Sequence, residues 1–332
     1  MVLLQKCGIA FVVSIIVSCL TGLIVIPVLK RLKAGQNILG YVDNHAGKSG
    51  TSTMGGIIFA FSALICYLIF SEKRGVLAFI SLAIALAYLI VGFLDDFIKI
   101  KSHRNEGLTA WQKILFQGAI AAIVAVFVYT RSLTDFFIPF FNYFADLKVA
   151  GGVLVFFIFI ATTNCVNLTD GLDGLAGGVS YVYLLLLAAV IGVQLFVYPN
   201  NFILPGEAEE IALLSVIQSG AILGFLLYNT FSASVFMGDT GSLYLGGFIA
   251  SVSIFSGNAF FIPVFGIMFV VSGISVIVQV AHFKRTGKRV FLMAPLHHHF
   301  EYKGHSESKI VFVYKLITLV VGVVAIIITA GG

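Results

Sequence analysis

The sequence predicts an all-α protein of one domain, residues 1–332, that crosses a membrane about ten times. Of its 332 residues, 59% are hydrophobic and 11% are charged, and the mean hydropathy is +1.05. Soluble globular proteins carry roughly 25% charged residues, so this chain has too few charges to cover a water-facing surface. Its apolar residues also fall in long runs, each close to the length of about 20 residues that a helix needs to span a bilayer.

Ten apolar segments are predicted as membrane-spanning helices. They are residues 8–29, 54–70, 76–94, 112–130, 149–165, 175–198, 211–228, 242–256, 259–282 and 310–330. Segments 54–70 and 242–256 are short and are the weakest of the ten. Lys30 and Arg31 follow the first segment directly, which favours a retained span over a cleaved secretion signal.

The Lys and Arg residues of the connections indicate the orientation of the chain. Fourteen lie in one alternate set of connections and five in the other. By the positive-inside rule, the richer set faces the cytoplasm, which places both termini outside. Because the basic residues that produce the net charge of +5 lie beside apolar spans, they favour anionic lipid headgroups and not nucleic acid as partners.

Two adjacent acids, Asp95 and Asp96, end the third predicted span; we call them the acid pair. Neighbouring side chains on a helix point about 100° apart, so the two acids should have different tasks. One could face a ligand while the other contacts Lys99 or a metal ion. A helix end solvated by water is the simpler alternative, but paired carboxylates at membrane depth are costly without a function.

The next polar cluster follows the fifth predicted span, at residues 164–178. Asn164, Asn167 and Asp170 share one face if the segment is helical. Gly171 would break the helix and allow the backbone to approach a ligand closely, with Asp173 just beyond it. An ordinary turn is the alternative reading, although a turn does not require so many polar groups.

A third cluster runs from Asn229 to Ser242. Asp239 stands between two glycines, where backbone amides can be exposed beside the carboxylate. This setting suits a divalent metal ion with phosphate nearby. Phe236 could stack on a nucleobase, but a single phenylalanine in so apolar a chain could equally belong to the core or face lipid.

The last predicted cytoplasmic connection is basic and contains His297, His298 and His299. Four basic residues within 284–289 would bind any anion, lipid headgroups included. Consecutive histidines could suggest zinc. In an extended backbone they would alternate sides, and no cysteine lies near them, so both points argue against a zinc site.

A small loop with Lys48 and Thr53 precedes the second span and carries little weight by itself. All of these clusters fall in connections assigned to the cytoplasmic face: 30–53, 95–111, 164–174, 229–241 and 283–309. The outer connections carry no comparable motif. We therefore expect the five connections to converge on one cleft at the cytoplasmic surface of the membrane.

Together and in order, these motifs resemble the phospho-N-acetylmuramoyl-pentapeptide transferase family, one of the polyprenyl-phosphate sugar-phosphate transferases. The resemblance covers Asp95–Lys99, Asn164–Ala176, Val235–Ser242, Phe283–Glu301 and the layout of ten spans. Within it, the run Ala294–Glu301 is the most discriminating element, because relatives that use other nucleotide sugars vary there.

The resemblance implies a reaction and its partners. A member of the family converts UDP-N-acetylmuramoyl-pentapeptide and undecaprenyl phosphate into lipid I and UMP with Mg²⁺, at the inner membrane of a bacterium, and the family also suggests a homodimer. A relative that transfers N-acetylglucosamine phosphate is the nearest alternative. An ion-coupled transporter is the alternative outside enzymes, but transporters place their acids near the membrane midplane and often show internal repeats.

The resemblance also assigns roles to residues. The catalytic set is Asp95, Asp96, Asp239 and His298, and Asp239 is the Mg²⁺ ligand. The nucleoside would bind at Asn167, Asp170, Gly171 and Asp173, with Phe236 on the uracil. The remaining substrate-binding residues are Lys48, Thr53, Lys99, Asn164, Asn229, His297 and His299.

Overall fold

The computed structural model of the protein describes residues 3–32, 51–72, 75–102, 107–199 and 205–331. Within them the chain forms helices and one β-hairpin. In chain order these are α1 (Leu3–Arg31), α2 (Gly56–Phe70), α3 (Val76–Ser102), α4 (Ala110–Thr130), β1 (Asp135–Ile138), β2 (Tyr143–Asp146), α5 (Lys148–Thr169), α6 (Leu175–Val197), α7 (Pro205–Asn229), α8 (Gly238–Phe255), α9 (Ile262–Phe265), α10 (Ile267–Thr286), α11 (Leu296–Tyr302) and α12 (Glu307–Ala330). The predicted all-α membrane fold is confirmed, and the assignment of the whole chain to one domain stays a prediction.

Eight helices in the described part of the chain are long and apolar enough to cross a bilayer. They are α1, α3, α4, α5, α6, α7, α10 and α12. The two weakest predicted segments correspond to α2, which is apolar but has 15 residues, and to α8, which has 18 residues and a polar first turn. Exposed apolar side chains on the outer helices, such as Leu23, Val126 and Ile327, form the surface expected against lipid.

The predicted continuous span 259–282 is wrong, because the chain breaks before α10. Residues 259–261 form a 3-10 turn, the one-turn helix α9 follows, and α10 begins at Ile267. Pro263 lies in the first turn of α9 and has no amide hydrogen to donate. Gly266 then ends α9 by donating its amide to Ile262, so the chain restarts as a separate helix.

The β-hairpin between α4 and α5 was not predicted. Its antiparallel strands pair Asp135 with Asp146 and Ile138 with Tyr143. Phe136 and Phe137 are both buried, so the strand lacks the alternation of apolar and polar residues that identifies a strand with one wet face. The Phe137 amide also donates to the Gly257 carbonyl (2.7 Å), which fixes the hairpin against the end of α8.

Helix α8 occupies the centre of the bundle. Every residue from Thr240 to Phe255 is buried, and α3, α5 and α2 pack along it. Because its neighbours shield it, α8 does not need a uniformly apolar surface and can include serines and glycines. The N-terminal turn of α8 therefore presents polar groups among other helices and not to lipid.

Two glycines allow α8 to approach its neighbours closely where it begins. A Cβ atom added at Gly92 of α3 would collide with the backbone of Asp239, and one added at Gly56 of α2 would collide with the backbone of Gly241. No side chain separates the backbones at these crossings. Since Gly92 lies one turn before the acid pair, the α3–α8 crossing sets the distance from these acids to Asp239.

We predict that Gly92→Ala destabilises the protein by about 1–3 kcal/mol, the usual cost of overpacking a core, and lowers its thermal midpoint in detergent. The matched control is Gly192→Ala on the exposed face of α6, where an added Cβ atom meets no other atom within 4 Å. That control should keep the midpoint of the unsubstituted protein or raise it slightly. Equal midpoints for the two variants would contradict the close crossing of α3 and α8.

Candidate active site

The acid pair lies about two turns before the end of α3, which continues to Ser102, and its two side chains point in different directions, as helix geometry predicts. The Asp95 Oδ1 atom accepts a hydrogen bond from the Leu108 amide at 2.8 Å. Its Oδ2 atom lies 2.6 Å from Lys99 Nζ and 3.1 Å from Lys113 Nζ. Asp95 is therefore the member of the pair that contacts both lysines closely, whereas Asp96 Oδ1 lies 3.9 Å from Lys99 Nζ.

Asp96 caps helix α8 from a neighbouring helix. Its Oδ2 atom accepts hydrogen bonds from the Thr240 amide (2.9 Å) and the Thr240 hydroxyl (2.7 Å), and its Oδ1 atom accepts one from the Asp239 amide (3.3 Å). The first amides of a helix lack partners within the helix and favour a negative charge. Asp96 thus holds in place the turn that carries Asp239.

Asp239 lies at the centre of the site. Its Oδ2 atom is 2.6 Å from Lys113 Nζ and 3.0 Å from Lys99 Nζ, and its Oδ1 atom accepts a hydrogen bond from Asn167 Nδ2 at 2.7 Å. One carboxylate oxygen from each member of the acid pair and one from Asp239 lie within 4.8 Å of one another. The Asp239 side chain is 15% exposed, against 0% and 4% for the acid pair, so Asp239 is the acid that solutes reach most readily.

We refer to Asp95, Asp96, Lys99, Lys113 and Asp239 as the charge cluster. Its acids form the one group of three potential metal-ligating side chains found within the described ranges. Burial of so many charges is tolerable because each has an opposite charge or a hydrogen-bond donor beside it. Chemically, the cluster can bind a hard cation through its oxygens and neutralise phosphate through its ammonium groups.

The connection between α5 and α6 extends the site from the charge cluster. Asn167 donates to Ser242 Oγ (2.8 Å) as well as to Asp239. Asp170 is half-buried, and its carboxylate makes no hydrogen bond to any residue that the structure describes. Burial raises the pKa of Asp170 well above its ordinary value, and the nearby negative charges of Asp239 and Asp96 raise it further. Asp170 therefore lies within electrostatic reach of the charge cluster, and its contact with substrate stays a prediction.

Asp173 and Asn229 are buried and tie two loops together. Asp173 Oδ2 accepts a hydrogen bond from the Ala233 amide at 3.1 Å. Asn229 accepts one from the Gly174 amide (3.2 Å) and donates to the Val235 carbonyl (3.0 Å). These bonds fix the α5–α6 and α7–α8 connections against each other, and direct contact of either residue with substrate stays a prediction.

The three histidines lie on the short helix α11, where successive side chains point about 100° apart. The backbone here is helical and not extended, but a helix also directs the three rings to different sides. His297 is fully buried, and its Nε2 atom lies so close to Gly171 that an added Cβ atom there would collide with it. Burial lowers the pKa of His297 well below its ordinary value, and the neighbouring His298 lowers it further. His297 is therefore neutral near pH 7.

His298 and His299 differ from His297 in their contacts. The His298 Nδ1 atom lies 2.9 Å from Glu301 Oε2, and its ring also borders Gly171. The His299 Nδ1 atom accepts a hydrogen bond from the Leu292 amide at 3.1 Å. Helix α11 thus reaches the α5–α6 connection through two histidines, which joins it to the region of the charge cluster.

The segment before α2 runs beside the residues that precede α8. The Phe236 amide donates to the Ser52 carbonyl and the Gly55 amide to the Phe236 carbonyl, both at 2.8 Å. The Thr53 hydroxyl is buried near Gly238 and has no hydrogen-bond partner within the described ranges. The Phe236 ring is half-buried. Lys48 lies outside the described residues.

Comparison with known proteins identifies the family. Residues 76–257 match the sequence profile of glycosyl transferase family 4. A phospho-N-acetylmuramoyl-pentapeptide-transferase of Clostridium botulinum (strain Eklund 17B / Type B) is 44% identical over 311 residues, 93% of this chain and 92% of the relative. A relative of the same name from Caldanaerobacter subterraneus subsp. tengcongensis is 42% identical over 319 residues, 96% of this chain and 97% of the relative. The chain belongs to the phospho-N-acetylmuramoyl-pentapeptide transferase family.

Sequence reasoning missed several residues that build the site of this member of the transferase family. Lys113 contacts two of the three acids, yet in the sequence it is only one of the fourteen basic residues that indicate orientation. Thr240 and Ser242 hold Asp96 and Asn167 in place. The sequence did carry a signal for Lys113. A lysine in the first turn of an apolar helix must either reach the membrane–water interface or pair with an acidic side chain.

We predict that Lys113→Gln lowers the initial rate of transfer by about 100-fold, because it removes one positive charge from the place where anions would react. Lys101→Gln is the matched control, since Lys101 is exposed at the end of α3. The control should retain the unsubstituted rate. A Lys113→Gln enzyme that is as fast as the control would show that Lys113 has no part in transfer.

Proposed function

We propose that the protein transfers phospho-N-acetylmuramoyl-pentapeptide from its UDP conjugate to undecaprenyl phosphate, which yields lipid I and UMP. This step belongs to bacterial peptidoglycan synthesis. Relatives whose names describe such a transferase align with 93% and 96% of the chain. The observation that carries the proposal is the charge cluster, where acids and lysines of α3, α4 and α8 meet at the end of a membrane bundle.

We place this site on the cytoplasmic face of the bacterial inner membrane, with both chain termini outside. The excess of Lys and Arg in the connections on that side supports the orientation. A UDP conjugate is water-soluble, whereas undecaprenyl phosphate stays in the bilayer with its phosphate at the surface. A site at the boundary between water and lipid is accessible to both.

Mg²⁺ fits the acids of the charge cluster. This ion prefers oxygen ligands and usually binds through one or two carboxylates together with substrate phosphates. We propose Asp239 as a ligand because it is the most exposed of the three acids. Asp95 is the second candidate ligand, since Asp96 already accepts hydrogen bonds from the first amides of α8. When bound, the ion would neutralise negative charge on the pyrophosphate of the UDP conjugate.

The reaction joins two anions, so neutralisation of charge is the main task of the protein. An oxygen of the lipid phosphate forms a bond to the β-phosphorus of the conjugate, and the bond from that phosphorus to the bridging oxygen breaks. UMP leaves with the bridging oxygen and its electron pair. Lys99 and Lys113 supply positive charge beside the reacting groups.

Asp95 would bind or deprotonate the lipid phosphate, with Asp96 in support. A phosphate monoester has a second pKa of about 6 and is mostly dianionic at pH 7, so an obligatory base is not required. The contacts of Asp95 with Lys99 and Lys113 favour a role in positioning these ammonium groups.

The nucleoside end of the substrate would bind along the α5–α6 connection. Asp170, whose carboxylate has no hydrogen bond to a described residue, and the half-buried ring of Phe236 support this placement. The remaining residues proposed to line the substrate pocket are Lys48, Thr53, Asn164, Asn167, Gly171, Asp173, Asn229, His297, His298 and His299. By family resemblance we also propose a homodimer.

Purified protein supplied with undecaprenyl phosphate and either UDP-N-acetylmuramoyl-pentapeptide or UDP-N-acetylglucosamine tests the substrate. We expect a lipid product and UMP from the first conjugate, with Mg²⁺ present and not after its removal by a chelator. Product from the N-acetylglucosamine conjugate alone would overturn the assignment. An ion-coupled transporter would form neither product, and the position of the charge cluster at helix ends argues against that function.

We predict that Asp239→Asn lowers turnover by about 100-fold or more, because the variant loses a charged metal ligand. Glu72→Gln, a substitution of an exposed acid away from the charge cluster, is the control and should keep full turnover. Binding of Mn²⁺ to each purified protein, followed by electron paramagnetic resonance, gives a second measurement. Unchanged turnover and Mn²⁺ affinity in Asp239→Asn would refute the metal role.

A further inference from the structure

A pair formed by the buried Gln117 and the half-buried Asn164 lies one helical turn inside the charge cluster. Gln117 of α4 is buried, and its Oε1 atom accepts hydrogen bonds from Asn164 Nδ2 at 2.7 Å and from Thr163 Oγ1 at 3.5 Å. The same Asn164 nitrogen donates to the Ile160 carbonyl at 2.8 Å. The side-chain amide group of Asn164 therefore donates both to α4, at Gln117, and to its own helix α5, at Ile160.

The pair lies one turn from two of the three residues that contact the side-chain oxygens of Asp239. Lys113 precedes Gln117 by one turn on α4 and contacts Asp239 Oδ2 at 2.6 Å. Asn167 follows Asn164 by one turn on α5 and donates to Asp239 Oδ1 at 2.7 Å. Residues three or four apart share a helix face, so Lys113 and Gln117 lie on one face of α4, and Asn164 and Asn167 lie on one face of α5.

The backbone of Gln117 connects the pair to the third helix of the site. Its carbonyl accepts a hydrogen bond from the Tyr88 hydroxyl of α3 at 3.1 Å. Helix α3 carries the acid pair and Lys99, α4 carries Lys113, and α5 carries Asn167. The three helices that surround Asp239 thus meet at one buried residue.

We propose that Gln117 is a positioning residue of the transferase. It does not touch the reacting groups; it sets the rotation of α4 relative to α5 and so keeps Lys113 and Asn167 on opposite oxygens of Asp239. Asn164 takes part as the partner of Gln117. The inference rests on the proposed function, because the effect on catalysis requires the charge cluster to be the reacting site.

Gln117→Leu removes the acceptor while keeping a side chain of similar size. Gln194→Leu is the matched control. Gln194 lies in the last turn of α6, at the end away from the α5–α6 connection. It is also buried and exchanges two hydrogen bonds, of 2.8 and 3.0 Å, with Asn258. Both variants should lose similar thermal stability. We expect Gln117→Leu to lose about tenfold or more in kcat, with KM for each substrate within about twofold, because a misplaced group costs rate more than binding. The control should keep its kcat.

A double-variant cycle and a chemical label complete the test. If Gln117 acts through Asn164, the variant that combines Gln117→Leu with Asn164→Leu should be no slower than the slower single variant. Acylation of Lys113 by an N-hydroxysuccinimide ester, followed by mass spectrometry, should be faster in Gln117→Leu than in the control, because the lysine is released from Asp239.

Different outcomes would overturn different claims. A kcat for Gln117→Leu that equals that of Gln194→Leu, together with equal acylation of Lys113, would overturn the positioning role. If the unsubstituted protein makes no lipid product, the proposed function fails. The acylation rates would still decide whether Gln117 holds Lys113 on Asp239, since that measurement needs no turnover.

Discussion

Asp239 is held from several directions at once, and the rest of the site depends on this arrangement. Lys99 and Lys113 approach one of its oxygens, Asn167 binds the other, and Asp96 caps the turn that carries it. Asp96 and Lys99 belong to α3, Lys113 to α4 and Asn167 to α5. A carboxylate buried at the end of a membrane bundle needs such partners, because unpaired charge in a low-dielectric surrounding is strongly unfavourable. The helices must therefore keep a fixed mutual placement.

Much of the fold and part of the site could be predicted from the sequence. Long apolar runs identify spans, and acids that interrupt them stand out, which is how the acid pair and Asp239 were found. The resemblance to the transferase family, which the comparisons bear out, added candidate site residues that spacing alone could not supply. The different tasks of Asp95 and Asp96 followed from their angular separation on a helix. That Asp96 would cap α8 could not be foreseen, because the acceptor and the amides are about 140 residues apart in sequence.

The features that were missed depend on tertiary contacts. Lys113 resembles any interfacial lysine until α4 is placed beside α8. Asn229 resembles a ligand residue until its amide is seen to join two loops. The helix break at Pro263 and the aromatic β-hairpin could not be recognised because both lie in apolar sequence. Hydropathy indicates that such residues are buried but not whether their backbone is helical or extended.

The central position of α8 shields Asp239 from direct contact with the bilayer, whereas Lys113 lies on α4, a helix with lipid-facing side chains such as Val126. A membrane that thickens or thins acts on the helices that touch its acyl chains, and those helices respond by tilting. Helix α8 is buried from Thr240 to Phe255, so acyl chains do not press on it directly. A change in lipid composition would therefore reach Asp239 only through the helices that pack around α8.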